Sequence, residues 1–381
     1  MMSQRWIVGL GVLVCAVGGA FARSTAMAGP AVLLDAASGQ VLYSEAPDQS
    51  WFPASLTKIM TIYVTFEAIK AGQIKLDTPV PLSEKARGQP ATRIGLKPGI
   101  PLNVEQAVRG LILRSANDFS MALAELIGES EEGFAERMNA TAKRLGMSRT
   151  QFRNPHGLPE PEQFTTARDL AILAIAMGRD FPERAEMFST MQFVIHRGTF
   201  HSQNDLLRTL DGANGMKTGF TCGAGYNVVV TATREGRRLI AVVLGETQRE
   251  ERSLRAAALI EHGFKTVEWK QALGVPKLAE LAMDPAEPHA VYDMAKETLA
   301  RQCGNRVRRA RAMVAQAARP RVGSPGGSVA TAAGVPRAAS GAGGVVIYPG
   351  GAAPVASSAG VAVKGPVVRT APASSAGGPG R

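Results

Sequence analysis

Apolar strand-like runs at the two ends of the first 270 residues, with helical segments between them, set the limits on how this chain can fold. Near the start, AVLLDAASGQVLYSE (31–45) places two apolar runs around AASGQ, which is a hairpin signal. Far downstream, MQFVIHRG (191–198), YNVVVTATREG (226–236) and RRLIAVVLGE (237–246) read as strands, the last two joined by a tight EG turn. Between these ends, LTKIMTIYVTFEAIKAG (56–72), NVEQAVRGLILRSANDFSMALAELIGES (103–130), EEGFAERMNATAKRLG (131–146) and TARDLAILAIAMG (166–178) carry helical spacing, and QREERSLRAAALIEHGF (248–264) closes the body as another helix. Strands first, helices in the middle and strands last imply an α+β fold. Its sheet is mainly antiparallel, formed by the N- and C-terminal strands and covered by helices on both faces.

The chain has 381 residues and a formal net charge of +11. From Arg301 onward there are eleven basic residues and no acidic one, which leaves 32 basic against 32 acidic residues in the first 300. The body is neutral and the excess belongs to a tail rich in Gly, Ala, Pro and Ser, so nucleic-acid binding is not implied. Such a tail can associate weakly with an anionic membrane or wall surface, or simply keep the chain soluble. At the N-terminus, Arg5, the apolar run WIVGLGVLVCAVGGAFA and the small-residue pattern AMA (26–28) read as an export signal cut after Ala28, with a retained anchor as the rival. The expected organisation is a signal peptide over 1–28, a catalytic domain over 29–270, a basic helical extension over 271–319 and a disordered tail over 320–381. Of the three cysteines, Cys15 leaves with the leader. In an oxidising compartment Cys222 and Cys303 invite a disulfide.

Ser55-Leu56-Thr57-Lys58 puts a hydroxyl and an amine one helical turn apart in an apolar run. Alone, the pattern also suits an N-cap serine and a lysine that snorkels to water. A second element, Lys217-Thr218-Gly219, stands just before a strong strand; by itself it reads equally as a turn. A third, S-x-N, matches at Ser115-Ala116-Asn117, at a break between helices, and at Ser202-Gln203-Asn204, assigned to the adjoining strand; the first is preferred because a connecting loop can aim side chains into a cleft.

Together and in this order the three elements resemble the penicillin-recognising serine enzymes. AVLLDAASGQVLY, ASLTKIMT, LILRSANDFSMALAE, NPHGL, TTARDLA, MKTGFT, AGYN and LGE extend the similarity to the low-molecular-weight penicillin-binding proteins that act as serine D-Ala-D-Ala carboxypeptidases. The resemblance implies a β-lactamase/transpeptidase-like fold, no cofactor, stem peptides of peptidoglycan as substrates and β-lactams as inhibitors. It implies Ser55 as nucleophile and Lys58 as base, with burial and Lys217 lowering the Lys58 pKa. It also implies that the N–H groups of Ser55 and Phe220 hold the oxyanion, that Ser115 relays a proton, and that Asn117 positions substrate and lysine. Lys217 and Thr218 would meet the terminal carboxylate, with Gly219 leaving room for the backbone.

Arg252 matches a carboxylate-binding arginine of some relatives by position. Glu160 and Glu162 stand where class A β-lactamases keep a water-activating glutamate, although the flanking motifs follow the carboxypeptidases. The same residues would serve a D,D-endopeptidase or a weak β-lactamase, and a non-catalytic wall-binding protein is the alternative of another class. Neither the added β-rich domain nor the amphipathic anchor of many relatives is expected. The five histidines show no ligand spacing, so no metal is implied.

Overall fold

The computed structural model describes residues 29–283 and 290–294; the leader, Cys303 and the basic tail lie outside the described residues. The chain opens with the expected hairpin, β1 (Ala31–Asp35) and β2 (Val41–Glu45). A 3-10 turn, Ala54–Leu56, runs into α1 (Thr57–Lys70). Then follow α2 (Glu84–Arg87), α3 (Val104–Arg114), α4 (Asn117–Gly128), α5 (Glu131–Leu145) and α6 (Ala167–Asp180). A short helix α7 (Glu186–Ser189) precedes β3 (Gln192–Ile195) and β4 (Gly198–His201), and α8 (Leu206–Thr209) precedes β5 (Ala213–Thr221). Strands β6 (Gly225–Arg234) and β7 (Arg237–Glu246) and the long α9 (Arg249–Ala272) complete the order.

Five strands form one antiparallel sheet in the order β2-β1-β7-β6-β5, so the first strand pairs with the last, Leu33 opposite Ala241. Each face of this sheet has its own core. Val32, Leu34, Val229, Ile240 and Val242 pack with α1, α3, α4 and α6, while Leu33, Val228, Val230, Leu239 and Ala241 pack with Ala256, Leu259 and Ile260 of α9. Covering both faces explains why β6 and β7 read as continuous apolar runs. Helix α1 lies at the centre, with eleven of its fourteen residues buried. Among the described residues no helix is long and apolar enough to cross a membrane.

Three expectations need correction. MQFVIHRG does form a strand, but β3 pairs with β4 as a separate two-stranded ribbon, Phe193 opposite Phe200, outside the main sheet. Lys217-Thr218-Gly219 stands before the strong strand β6 as expected, but it is not a turn: it lies inside a strand of its own, β5, at the sheet edge. Past Ala272 the described part of the 271–319 segment is not helical. Residues 273–283 and 290–294 instead wrap back as an irregular strap. The buried Arg168 guanidinium, paired with both oxygens of Asp48 at 2.6 and 2.7 Å, also donates to the carbonyls of Leu278 and Leu281. Tyr292 stacks on Trp51 with ring centroids 5.3 Å apart, and Met294 N donates to Gly223 O at 2.8 Å.

Candidate active site

The chain turns sharply into the first of the three elements. Ala54 has φ +48°, in the left-handed region, and the 3-10 turn it begins passes Ser55 into α1. Neighbouring elements hold this turn by the backbone. Asn227, fully buried on β6, donates from Nδ2 to Phe52 O at 3.1 Å and Pro53 O at 3.3 Å, and its Oδ1 accepts from Gly245 N at 2.9 Å. Trp51 Nε1 donates to Ala224 O at 2.8 Å. Gly157 of the NPHGL segment, at φ +83°, lies so close that a Cβ there would fall 1.8 Å from Ala54 O. Only glycine fits that approach.

Lys58 follows one helical turn later and cannot reach water: its side chain is 0% exposed. Its Nζ lies 3.3 Å from Ser55 Oγ and 2.7 Å from Asn117 Oδ1, and it donates to the His156 carbonyl. Asn117 Nδ2 donates to Pro90 O at 2.9 Å, which settles which end of the amide faces the lysine. Asn117 begins α4 two residues after Ser115, which ends α3 in the left-handed conformation, φ +57°. Ser115 Oγ is buried and has no hydrogen-bond partner. It is Asn117, not Asn204, that meets the lysine. The Ser202-Gln203-Asn204 match sits in a buried loop between β4 and α8 and not in a strand.

Opposite lies β5. A Cβ on Gly219 would stand 3.1 Å from Ser55 N, so the strand edge runs against the backbone of Ser55. Lys217 is 2% exposed, and its Nζ donates to Thr218 O at 2.9 Å. Thr218 and Phe220 are half-buried, with Phe220 stacked on Tyr226. Arg252, at the start of α9, is 3% exposed and so is not a surface arginine; Nη2 bonds Asp205 Oδ1 at 2.7 Å and Ser253 Oγ at 2.8 Å, while Nε has no partner.

These placements fix the electrostatics. Burial, then the nearby Lys217 charge, push the Lys58 amine well below the usual lysine range, against the pull of Asp118. The Asp118 carboxylate is already occupied by Ile94 N, Gly95 N and Phe119 N. Burial and Arg252 bring Lys217 down to about 7. Burial, Lys58 and Lys85 hold His156 at about 3, so its ring stays neutral.

Glu162 pairs with Arg153 at 3.1 Å, whereas Glu160 is half-buried. Cys222 is disulfide-bonded; the expected partner, Cys303, lies outside the described residues. Among the described residues no group of three or more His, Cys, Asp or Glu is placed to hold a metal. The motifs had no role for Asn227, Trp51 or the His156 carbonyl. A buried asparagine in the run of valines of β6 was the one available signal, and AGYN contained it.

The turn that carries Ser55, a buried lysine and an edge-strand K-T-G meet in one place, and the D-alanyl-D-alanine carboxypeptidase family model matches residues 19–248. The chain belongs to that family. Its relatives include the D-alanyl-D-alanine carboxypeptidase DacC of Escherichia coli, 41% identical over 244 residues, covering 62% of this chain and 61% of that protein. Among solved structures, DacD from Francisella tularensis superimposes with a TM-score of 0.60 at 34% identity, over 62% of this chain and 70% of that one. Penicillin-binding protein D2 from Listeria monocytogenes, in its ampicillin-bound form, gives 0.58 at 30% identity, over 62% of this chain and 97% of that one. The chain spans about three-fifths of the length of the curated family members it matches. The antiparallel sheet with its helical layers is that of these D-alanyl-D-alanine carboxypeptidases.

Proposed function

We infer that this family member is a serine D-Ala-D-Ala carboxypeptidase that removes the terminal D-alanine from peptidoglycan stem pentapeptides through an acyl-enzyme on Ser55. The observation that carries the reading is the buried amine of Lys58, 3.3 Å from Ser55 Oγ and held below the usual lysine range. A hydroxyl needs a base to become a nucleophile, and an uncharged amine at this distance is one. A wall-binding protein without catalysis has no use for two buried lysines, whose charged forms are disfavoured by burial.

In this scheme Ser55 Oγ attacks the carbonyl carbon between the two D-alanines while its proton passes to Lys58 Nζ. The resulting oxyanion is held by the N–H groups of Ser55 and Phe220. The C–N bond then breaks, and Ser115 Oγ, which has no competing partner, relays the proton from Lys58 Nζ to the departing D-alanine, leaving Lys58 neutral again. Water attacks the ester with Lys58 again as base, releasing the shortened peptide and restoring Ser55. Asn117 holds Lys58 and the substrate amide. Lys217 and Thr218 meet the terminal carboxylate, and Arg252 adds positive charge there. A β-lactam enters as a mimic of the dipeptide and acylates the same oxygen.

The leader supports export with cleavage after Ala28, which places the enzyme on the wall side of the cytoplasmic membrane. The eleven basic residues from Arg301 onward suit weak, salt-sensitive association with anionic membrane or wall.

The test is D-alanine release from diacetyl-L-Lys-D-Ala-D-Ala by the unaltered protein beside Ser55→Ala, with mass spectrometry after penicillin. Release and an adduct on the Ser55 peptide are expected for the parent only. An active Ser55→Ala protein would refute the assignment.

A further inference from the structure

Glu160 takes no part in the chemistry above, yet it lines a cavity of about 420 Å³ beside the nucleophile. Pro53 and Ala54, which lead into Ser55, form one wall; Thr221, at the end of β5, forms another; Leu158 and Pro159 close a third. Glu160 and Asp293 bring carboxylates to this apolar enclosure, and none of its described lining residues is Lys, Arg or His. Among the described residues the Glu160 carboxylate makes no ion pair, in contrast to Glu162, which is paired with Arg153.

The strand gives the cavity its meaning. Along β5 the carboxylate-binding Lys217 and Thr218 come first, Gly219 and Phe220 next to Ser55 follow, and Thr221 comes last. A peptide extended along this edge, with its terminal carboxylate at Lys217 and its scissile carbonyl at Ser55, continues upstream past Thr221. Each residue advances ~3.3 Å. The residue before D-Ala-D-Ala therefore arrives at the cavity mouth. An acidic, apolar-walled enclosure suits an aliphatic stem that ends in an ammonium group.

We propose that this cavity is the subsite for the diamino acid preceding D-Ala-D-Ala, one of the lysine type whose side chain ends in an ammonium group alone, with Glu160 as the counter-ion of that ammonium. The assignment rests on the carboxypeptidase reading and adds a specificity element to it.

The experiment compares two peptides on the full chain: Nα-acetyl-L-Lys-D-Ala-D-Ala, with a free side-chain amine, and the diacetylated form, in which the amine is neutral. KM for the free-amine peptide is expected to be roughly tenfold lower, the size of one charge-assisted contact, and the ratio should shrink with added salt. In Glu160→Gln the ratio should fall to near one, whereas Glu162→Gln should keep it. Equal KM values in the unaltered protein overturn the proposal. So does a ratio that survives Glu160→Gln, or a Glu160→Gln protein that accumulates acyl-enzyme from both peptides alike, since the carboxylate would then serve the deacylating water. No release from either peptide would overturn the carboxypeptidase reading and the subsite with it.

Discussion

Three oxygens surround the Lys58 amine, and its neutral form can satisfy all three. Asn117 Oδ1 and the His156 carbonyl can only accept, whereas Ser55 Oγ can also donate. A neutral amine has two N–H groups for the two acceptors and one lone pair left for the serine proton. The lowered pKa and the geometry therefore agree. Lys217 adds a stability effect that can be measured. Its folded pKa, about 7, lies below the unfolded value of about 10.4, so the unfolded chain binds more protons between those limits. Its contribution to stability is thus least below pH 7 and grows as pH rises toward 10. In Lys217→Met this rise should be missing. Urea unfolding at intervals from pH 6 to 10 would show it as a shallower slope than in the parent, and equal slopes would mean that Lys217 is not buried as described.

At the scale of elements, the site depends on how closely the β5 edge approaches the start of α1. Gly219→Ala would set a methyl 3.1 Å from Ser55 N, against backbone that cannot swing away. Penicillin acylation is expected to slow by roughly 10²-fold, the effect of displacing reacting groups by a fraction of an ångström to 1 Å, with far-UV circular dichroism unchanged. Full-rate acylation would show that the approach is not needed.

What could be read from the residues also divides at this scale. The β1–β2 hairpin, α1, α5, α6 and α9 were legible because each carries its own period. The K-T-G strand was not, since GMKTGFT holds glycines and a lysine that weaken a strand signal, and only its pairing with β6 makes it one. MQFVIHRG showed a strand but not its partner, which pattern alone does not specify. Motif spacing singled out Ser55, Lys58, Asn117 and Lys217, and the fold brings them together. Asn227, which holds the turn before Ser55 to β7, acts through backbone carbonyls and leaves no spacing to find.

Across the whole molecule, one buried ion pair reaches from the body to the strap, beside the backbone bonds Leu278 N to Gly39 O and Met294 N to Gly223 O and the Tyr292–Trp51 stack. Arg168 bonds Asp48 and also the carbonyls of Leu278 and Leu281. Arg168→Ala would leave a buried carboxylate without its partner, at an expected cost of about 3–5 kcal/mol. It should also open residues 273–283 to proteolysis. Chemical denaturation and limited proteolysis would check both, and a protein unchanged in either would show that the strap is held elsewhere.

The pairing of β1 with β7 has a consequence for timing. Ser55 and Lys58 are made early in the chain, but the cation that helps to unload the proton from Lys58 sits on β5, and the sheet is complete only when β7 has docked on β1. A half-emerged chain carries Ser55 and Lys58 without the neighbouring Lys217 charge. Labelling by a fluorescent penicillin would therefore work as a clock for the closing of the sheet, silent on every product of synthesis that stops short of β7.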